Sequence, residues 1–358
     1  MNLFRKFSIT KTDFITAMLT LLVVSLLVFS TRQLRLSAND AFRFSEPASL
    51  QIHETIGVSE LVDLLIVKNA EFDASDFKWA TRLLGWRQFK VGNYEFEGEY
   101  SYEVLLSKLA LGIQDPVEIV ILPGIDQERF STSVSSRLKL ESESLNAVFG
   151  DSVFLAEIGI SSEELLGRML PETYRVYWTS TPKEIIRRIL KEFDDSVVEP
   201  FSDEANDKGY TVSEILTMAS IVEWEAKLED EKPIIAGLYW NRIDRGMRLE
   251  ADPTVNFALG ERRRLLFEDY KFQHPFNTYL NRGLPPAPIA NPSLSTIIAT
   301  LRPAKHDFLY MVANPEGGHE FSRTFAEHQE ASERWRKWLR EQYRIKRQKE
   351  REAAQSSE

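Results

Sequence analysis

The segment Thr217-Met-Ala-Ser-Ile-Val-Glu-Trp-Glu-Ala226 sets two carboxylates, Glu223 and Glu225, into an otherwise apolar stretch. Ile215, Met218, Ala219 and Val222 recur at i, i+3, i+4 and i+7, which predicts a helix with one core-facing stripe. On such a helix Glu223 and Glu225 flank the stripe on opposite sides, roughly 160° apart, so only one of them can serve a given cleft. A carboxyl among apolar neighbours resists ionisation, holds its proton near pH 7 and can donate it as a general acid. The same placement also suits a salt-bridged glutamate at a helix border, with Lys227 or Lys232 as its partner.

Other polar residues offer less specific chemistry. Asp252 precedes Pro253, where a carboxylate either caps nearby backbone N–H groups or faces a site; Asp252, Glu250 and Glu172 are candidates for a second carboxylate. Asn241 and Arg242 end a predicted helix, where the arginine serves either the helix dipole or a substrate. Asn277 and Tyr279 suit hydrogen bonding to a polar ligand and ring stacking, although Tyr279 also suits a core. The five histidines, His53, His274, His306, His319 and His328, form no close metal-binding pair, so no metal is expected, nor any cofactor. His319 reads as a turn residue. With no cysteine, disulfides and thiolate chemistry are excluded.

The elements that must position these groups follow an N-terminal segment, Phe14 to Thr31, eighteen residues without a charge. As a helix it is about 27 Å long, enough to span a bilayer. Arg5, Lys6 and Lys11 precede it and place the tail, residues 1–13, in the cytoplasm, although Arg32 and Arg35 soften the bias. No small-x-small cleavage pattern follows, which favours an uncleaved signal anchor over residues 14–31. The whole chain of 358 residues, 43% hydrophobic and 27% charged, is long enough for two domains. A net charge of −10 argues against a nucleic-acid partner.

Residues 32–48 read as a polar linker. Over 49–115 a strand at Ser49–His53, helices at Val58–Leu65 and Ser75–Leu84, a strand from Gly92 and a helix over Ser101–Leu111 make a small α+β module. Residues 116–330 form a larger mixed α+β domain. It holds a strand at Val117–Leu122, helices at Arg129–Leu138, Lys183–Phe193, around Glu223 and at Pro233–Arg245, a proline-rich cleft wall at Gly283–Ile289, and strands near Phe308 and His319. Residues 331–358 are a basic helix and tail, read as a solvated face or as a surface for anionic polymers or lipid headgroups. The fold class is α+β.

Taken together and in order, Ala219-Ser-Ile-Val-Glu-Trp-Glu225, Leu238-Tyr-Trp-Asn-Arg242, Gly246 to Val255, Asn277-Thr-Tyr279 and Gly283-Leu-Pro-Pro286 resemble the endolytic murein transglycosylases of the YceG-like (MltG) family. The resemblance implies a single-pass inner-membrane protein with a LysM-like module, into which Val91–Phe96 fits, and a catalytic transglycosylase domain. It implies cleavage of the MurNAc-β-1,4-GlcNAc bond of nascent glycan strands with a 1,6-anhydro end, and it makes peptidoglycan strands the substrate and peptidoglycan synthases candidate partners. The family's catalytic glutamate falls on Glu225, leaving Glu223, Asn241, Asp252, Asn277 and Tyr279 as supporting or substrate-binding residues. Two positions depart from the family pattern: Ala226 stands where Thr or Ser is usual, and Leu170-Pro-Glu-Thr-Tyr174 stands for Phe-Pro-Asp-Thr-Tyr. A muramidase-type hydrolase and a non-catalytic wall-binding scaffold are the alternatives.

Overall fold

The computed structural model describes residues 10–355, and side chains as far as residue 350. Most of the tail expected over residues 1–13 lies outside the described residues. Thr10 opens α1 (Lys11–Ser37): its hydroxyl accepts from the Asp13 N–H while the Asp13 carboxylate accepts from the Thr10 N–H, a reciprocal cap. At 1.5 Å per residue α1 is about 40 Å long. It is long and apolar enough to cross a membrane and fits a single-pass anchor.

Residues 32–48 are not the expected linker. Arg32–Ser37 complete α1, and Arg35 there pairs with Asp76 and lies 4.4 Å over the Trp79 ring. β1 (Phe42–Ile52) follows, starting well before Ser49. Its alternation of buried Phe42 and Phe44 with exposed Arg43 and Ser45 is interrupted before Ala48, where the pairing register shifts. An irregularity of that kind breaks the period of two by which a strand is recognised in sequence.

The chain forms two compact units, one reaching to Val117 and including Tyr177–Thr179, the other Glu118–Val176 with Ser180 onward. In the first, β1 is followed by β2 (Ile56–Gly57), α2 (Val58–Val67), β3 (Ala70–Phe72), α3 (Ala74–Leu84), β4 (Gln88–Phe89), β5 (Gly92–Tyr100) and α4 (Tyr102–Leu111). β1 is central in an antiparallel sheet of order β3-β1-β5, and β2 pairs antiparallel with β4. Ser101 caps α4 as its position suggests, accepting from the Val104 N–H. Phe42 is fully buried, its ring centroid 5.0 Å from Phe72, 5.7 Å from Phe77 and 5.2 Å from Tyr102.

In the second unit β6 (Pro116–Val120) leads to four short helices, α5 (Gln127–Ser135), α6 (Ser142–Val148), α7 (Ser152–Ile158) and α8 (Ser162–Leu165), then to β7 (Thr173–Tyr177), which pairs with β6. Next come α9 (Pro182–Phe193), α10 (Glu199–Asp207), α11 (Val212–Glu225), α12 (Lys232–Asp244), α13 (Asp252–Leu259) and α14 (Leu294–Leu301). The antiparallel hairpin of β8 (Tyr310–Ala313) and β9 (His319–Ser322) precedes α15 (Phe325–Gln355). Most of the acidic, serine-bearing stretch Glu141–Asn146 lies in α6.

α11 is the centre of this unit. Thr211 caps it, with Glu214 answering in a capping box. Contrary to the single stripe expected, all eight residues from Ile215 to Val222 are buried, so the helix is enclosed on every side. Small side chains make room for this, and the buried Ser220 hydroxyl accepts from the Ile289 N–H at 2.9 Å while donating to the Thr217 carbonyl at 2.7 Å.

Because Phe42 is enclosed by three aromatic rings, Phe42→Ala is expected to destabilise the first unit by about 3–5 kcal/mol, read as a lowered denaturation midpoint of the detergent-solubilised chain.

Candidate active site

The last three residues of α11 point in three directions. Glu223 turns to the N-terminus of α14, where its Oε2 accepts from the Ser293 N–H at 2.9 Å, the Ser293 hydroxyl at 2.8 Å and the Thr296 hydroxyl. Its other oxygen lies 3.6 Å from the buried Lys232 ammonium. Trp224 donates from its indole N–H to the Gly124 carbonyl at 3.0 Å, and the Arg262 guanidinium covers its ring at 4.2 Å. A β-carbon at Gly124, where φ is +65°, would press on this indole. Glu225 alone reaches a cavity of about 360 Å³.

That cavity is walled by α12 (Tyr239, Arg242), by Glu250 and Asp252 at the start of α13, by Tyr279, by the β8–β9 hairpin (Tyr310, His319) and by His328 of α15. The Tyr239 hydroxyl, itself buried, donates to Glu225 Oε1 at 3.1 Å. Burial pushes the Glu225 carboxyl up to about 7; the Tyr239 hydrogen bond pulls the other way, and the Asp252 charge adds to the rise. The helix end contributes in the same direction, since a C-terminus disfavours negative charge. The Tyr239 phenol is in turn held well above its ordinary range by burial and by Glu225.

Asp252 resolves its two sequence readings in favour of the cavity. It is the first residue of α13 but makes no capping bond; instead Oδ1 accepts from the Tyr279 hydroxyl at 2.7 Å and Oδ2 from Tyr270 at 3.5 Å. Burial and the neighbouring Asp252 raise the Tyr279 phenol above its usual value, keeping it a donor. Glu250 also lines the cavity, but Arg242 pairs with it, and its φ of +52° is unusual for a residue with a β-carbon. Each nitrogen of the Arg242 guanidinium is engaged, since Nε donates to the Arg248 carbonyl at 2.8 Å and Nη1 to the Leu309 carbonyl at 3.0 Å.

Several expected positions lie elsewhere. Asn277 is fully buried, its amide donating to the Tyr270 and Phe272 carbonyls at 3.1 and 2.8 Å, and it braces the loop that presents Tyr279. Asn241 donates to the His306 and Phe308 carbonyls at 2.8 and 3.1 Å and borders a different cavity. Glu223 is committed to Lys232 and α14, and Glu172 is exposed and outside the Glu225 cavity. The prolines of Gly283–Pro286 border a third cavity with Tyr210 and Trp240, not the wall of this one. His319 is the first residue of β9 and part of the cavity, not merely a turn residue. Tyr239, Tyr310 and His328 were not anticipated; the i, i+3 spacing of Tyr239 and Arg242 on one helix face was the available signal. Among the described residues no cluster of His, Cys, Asp and Glu is arranged to hold a metal ion.

Two outcomes follow. Tyr239→Phe removes the bond that favours the carboxylate and should raise the Glu225 pKa above about 7, whereas Asp252→Asn removes a neighbouring negative charge and should lower it; carboxyl chemical shifts followed through a pH titration report both signs. Glu223→Ala leaves three donors without their acceptor and should cost about 2 kcal/mol of stability, seen in denaturation, without moving the Glu225 titration.

Residues 50–334 match the YceG-like family. An endolytic murein transglycosylase of Bacillus subtilis (strain 168) is 27% identical over 303 residues, covering 80% of this chain and 84% of that protein. Another, from Streptococcus pneumoniae serotype 2, is 27% identical over 290 residues, covering 72% of this chain and 52% of that protein, so this chain spans about half the length of the pneumococcal relative. A crystal structure of a yceG-like protein from Listeria monocytogenes superposes with a TM-score of 0.58 at 29% identity, covering 80% of this chain and 98% of that chain. With the match running from β1 to α15, through every element that borders the Glu225 cavity, the chain belongs to the YceG-like family.

Proposed function

We propose that this protein is a membrane-anchored endolytic lytic transglycosylase that cleaves the MurNAc-β-1,4-GlcNAc bond of peptidoglycan strands, with Glu225 as the catalytic acid and base. The observation that carries the reading is a carboxyl pushed up to about 7 at the wall of a cavity, in a family whose named relatives are murein transglycosylases. A group poised there holds its proton before reaction and releases it readily. Glu225 protonates the glycosidic oxygen as the C1–O bond breaks. The resulting carboxylate takes the proton of the muramyl C6 hydroxyl as that oxygen bonds to C1, which closes the 1,6-anhydro ring and restores the acid. Because the nucleophile is tethered to the substrate, no second carboxylate and no water are needed, and part of the entropic barrier is already removed.

Asp252 shares the cavity and is the observation that favours the rival, hydrolysis with a second carboxylate activating water. Its two oxygens already accept from Tyr279 and Tyr270, which supports a role in holding the Glu225 proton rather than in activating a nucleophile. In this reading α1 spans the inner membrane with its N-terminus in the cytoplasm, and the rest of the chain meets nascent strands outside, where cutting would end strand elongation beside a synthase. The antiparallel pair β2 and β4, with α2 and α3 between them in the chain and β3 leaving to pair with β1, supports a LysM-like role for the first unit.

Incubating the chain with isolated glycan strands should release fragments with anhydro-muramyl ends, lighter by one water than reducing ends, and Glu225→Gln should lower the rate by at least about a thousandfold. Mass spectrometry showing reducing ends instead would establish the hydrolase, and intact wild type that never cleaves would establish the scaffold.

A further inference from the structure

Glu231 is a buried acidic residue that the proposed reaction does not use. It stands at the N-cap of α12, where the helix dipole favours a negative charge, and both its oxygens are engaged by one residue. Oε1 accepts from the His319 backbone N–H at 2.6 Å, and Oε2 lies 2.7 Å from His319 Nδ1. The contact is built closely: a β-carbon at Gly318 would fall 2.3 Å from Glu231 Oε1, so any larger residue there would displace the carboxylate. His319 in turn lines the Glu225 cavity.

A carboxylate can only accept, so Nδ1 carries the hydrogen of this pair, and the tautomer this selects leaves Nε2 as the ring's acceptor. Three other polar groups of the cavity have other commitments. Tyr239 donates to Glu225, Tyr279 donates to Asp252, and Arg242 is taken up by Glu250 and two backbone carbonyls. We propose that His319 is a substrate-contacting residue whose Nε2 accepts a hydrogen bond from an acetamido N–H of the glycan, and that Glu231 is the positioning residue that fixes the ring's tautomer and direction. An amide N–H can only donate and therefore requires an acceptor held in place, whereas a sugar hydroxyl can turn to donate or accept and has no such requirement. The proposal rests on the transglycosylase reading for its substrate and extends it to recognition of the N-acetyl group.

The test uses the full chain in the Glu225→Gln background, so that strands bind without being cut, with soluble N-acetylated glycan strands whose acetamido nitrogens either keep their hydrogen or are N-methylated as probes. Adding His319→Ala should weaken binding of the unmethylated strand about tenfold, while His319→Gln, whose amide oxygen restores an acceptor, should stay within about threefold of the parent. N-methylation should cost the parent the same tenfold and cost the His319→Ala variant nothing further, the non-additivity expected of two halves of one contact. Glu231→Gln, which keeps the ring but frees the tautomer, should also lose discrimination between the strands, and it serves if His319→Ala does not fold. A folded His319→Ala that shows only a lower Tm and unchanged preference for the unmethylated strand overturns the proposal and makes the pair a brace between α12 and β9. Failure of the Glu225→Gln parent to bind either strand, with a wild type that cleaves nothing, instead overturns the transglycosylase reading and this contact with it.

Discussion

The end of α11 is where the structure commits itself. An enclosed helix has no solvent side to which a terminal carboxylate can retreat, and Glu225 is therefore delivered to a cavity with a single phenol as its hydrogen-bond donor. One neutral donor cannot replace the hydration a carboxylate loses on burial, and that imbalance raises the pKa. The orientation depends on its neighbours: Glu223, tied to three donors at the head of α14, and Trp224, seated on Gly124, fix the helix rotation on either side. Glu223 and Glu225 thus differ in surroundings rather than in chemistry. One carboxylate is surrounded by donors and an ammonium, the other by apolar groups, a phenol and a like charge.

The cavity is assembled from pieces far apart in sequence, and buried polar pairs hold most of them together. Arg242 joins α12 to Glu250 and to the strand entering β8; Asn277 braces the loop carrying Tyr279; Asn241 ties α12 to the segment His306–Phe308. Each of these side chains satisfies backbone carbonyls that no helix or sheet supplies with a donor, which is a structural task that must be completed before any substrate arrives.

This division explains how much could be read beforehand. α11, the cap at Ser101 and the anchor helix follow from local rules of period, capping and apolar length, which act over a few residues, whereas the choice of Glu225 over Glu223 came only with the resemblance to the family. Asn241 and Asn277 looked like substrate contacts because an amide near an active-site motif is suited to sugars, yet the carbonyls they bind come from backbone whose course the sequence does not reveal. The strand β1 was obscured for a related reason: its irregularity at Glu46-Pro47 is tolerated only because β5 pairs on both sides of it. His319 and His328 reached the cavity through the hairpin and α15, and nothing in their immediate neighbours marks that outcome.

The raised carboxyl also sets a thermodynamic constraint. Between the ordinary glutamate value of 4.5 and about 7 the folded chain holds a proton that the unfolded chain has released, so this group's contribution to stability declines as pH rises through that window. The cost is intrinsic to the proposed chemistry, because any rearrangement that hydrated Glu225 would restore stability at neutral pH and remove the acid. The fold must therefore enforce burial by other means, and the apolar packing around Ile215–Val222, which carries no charge and is indifferent to pH, is the part of the molecule able to do so.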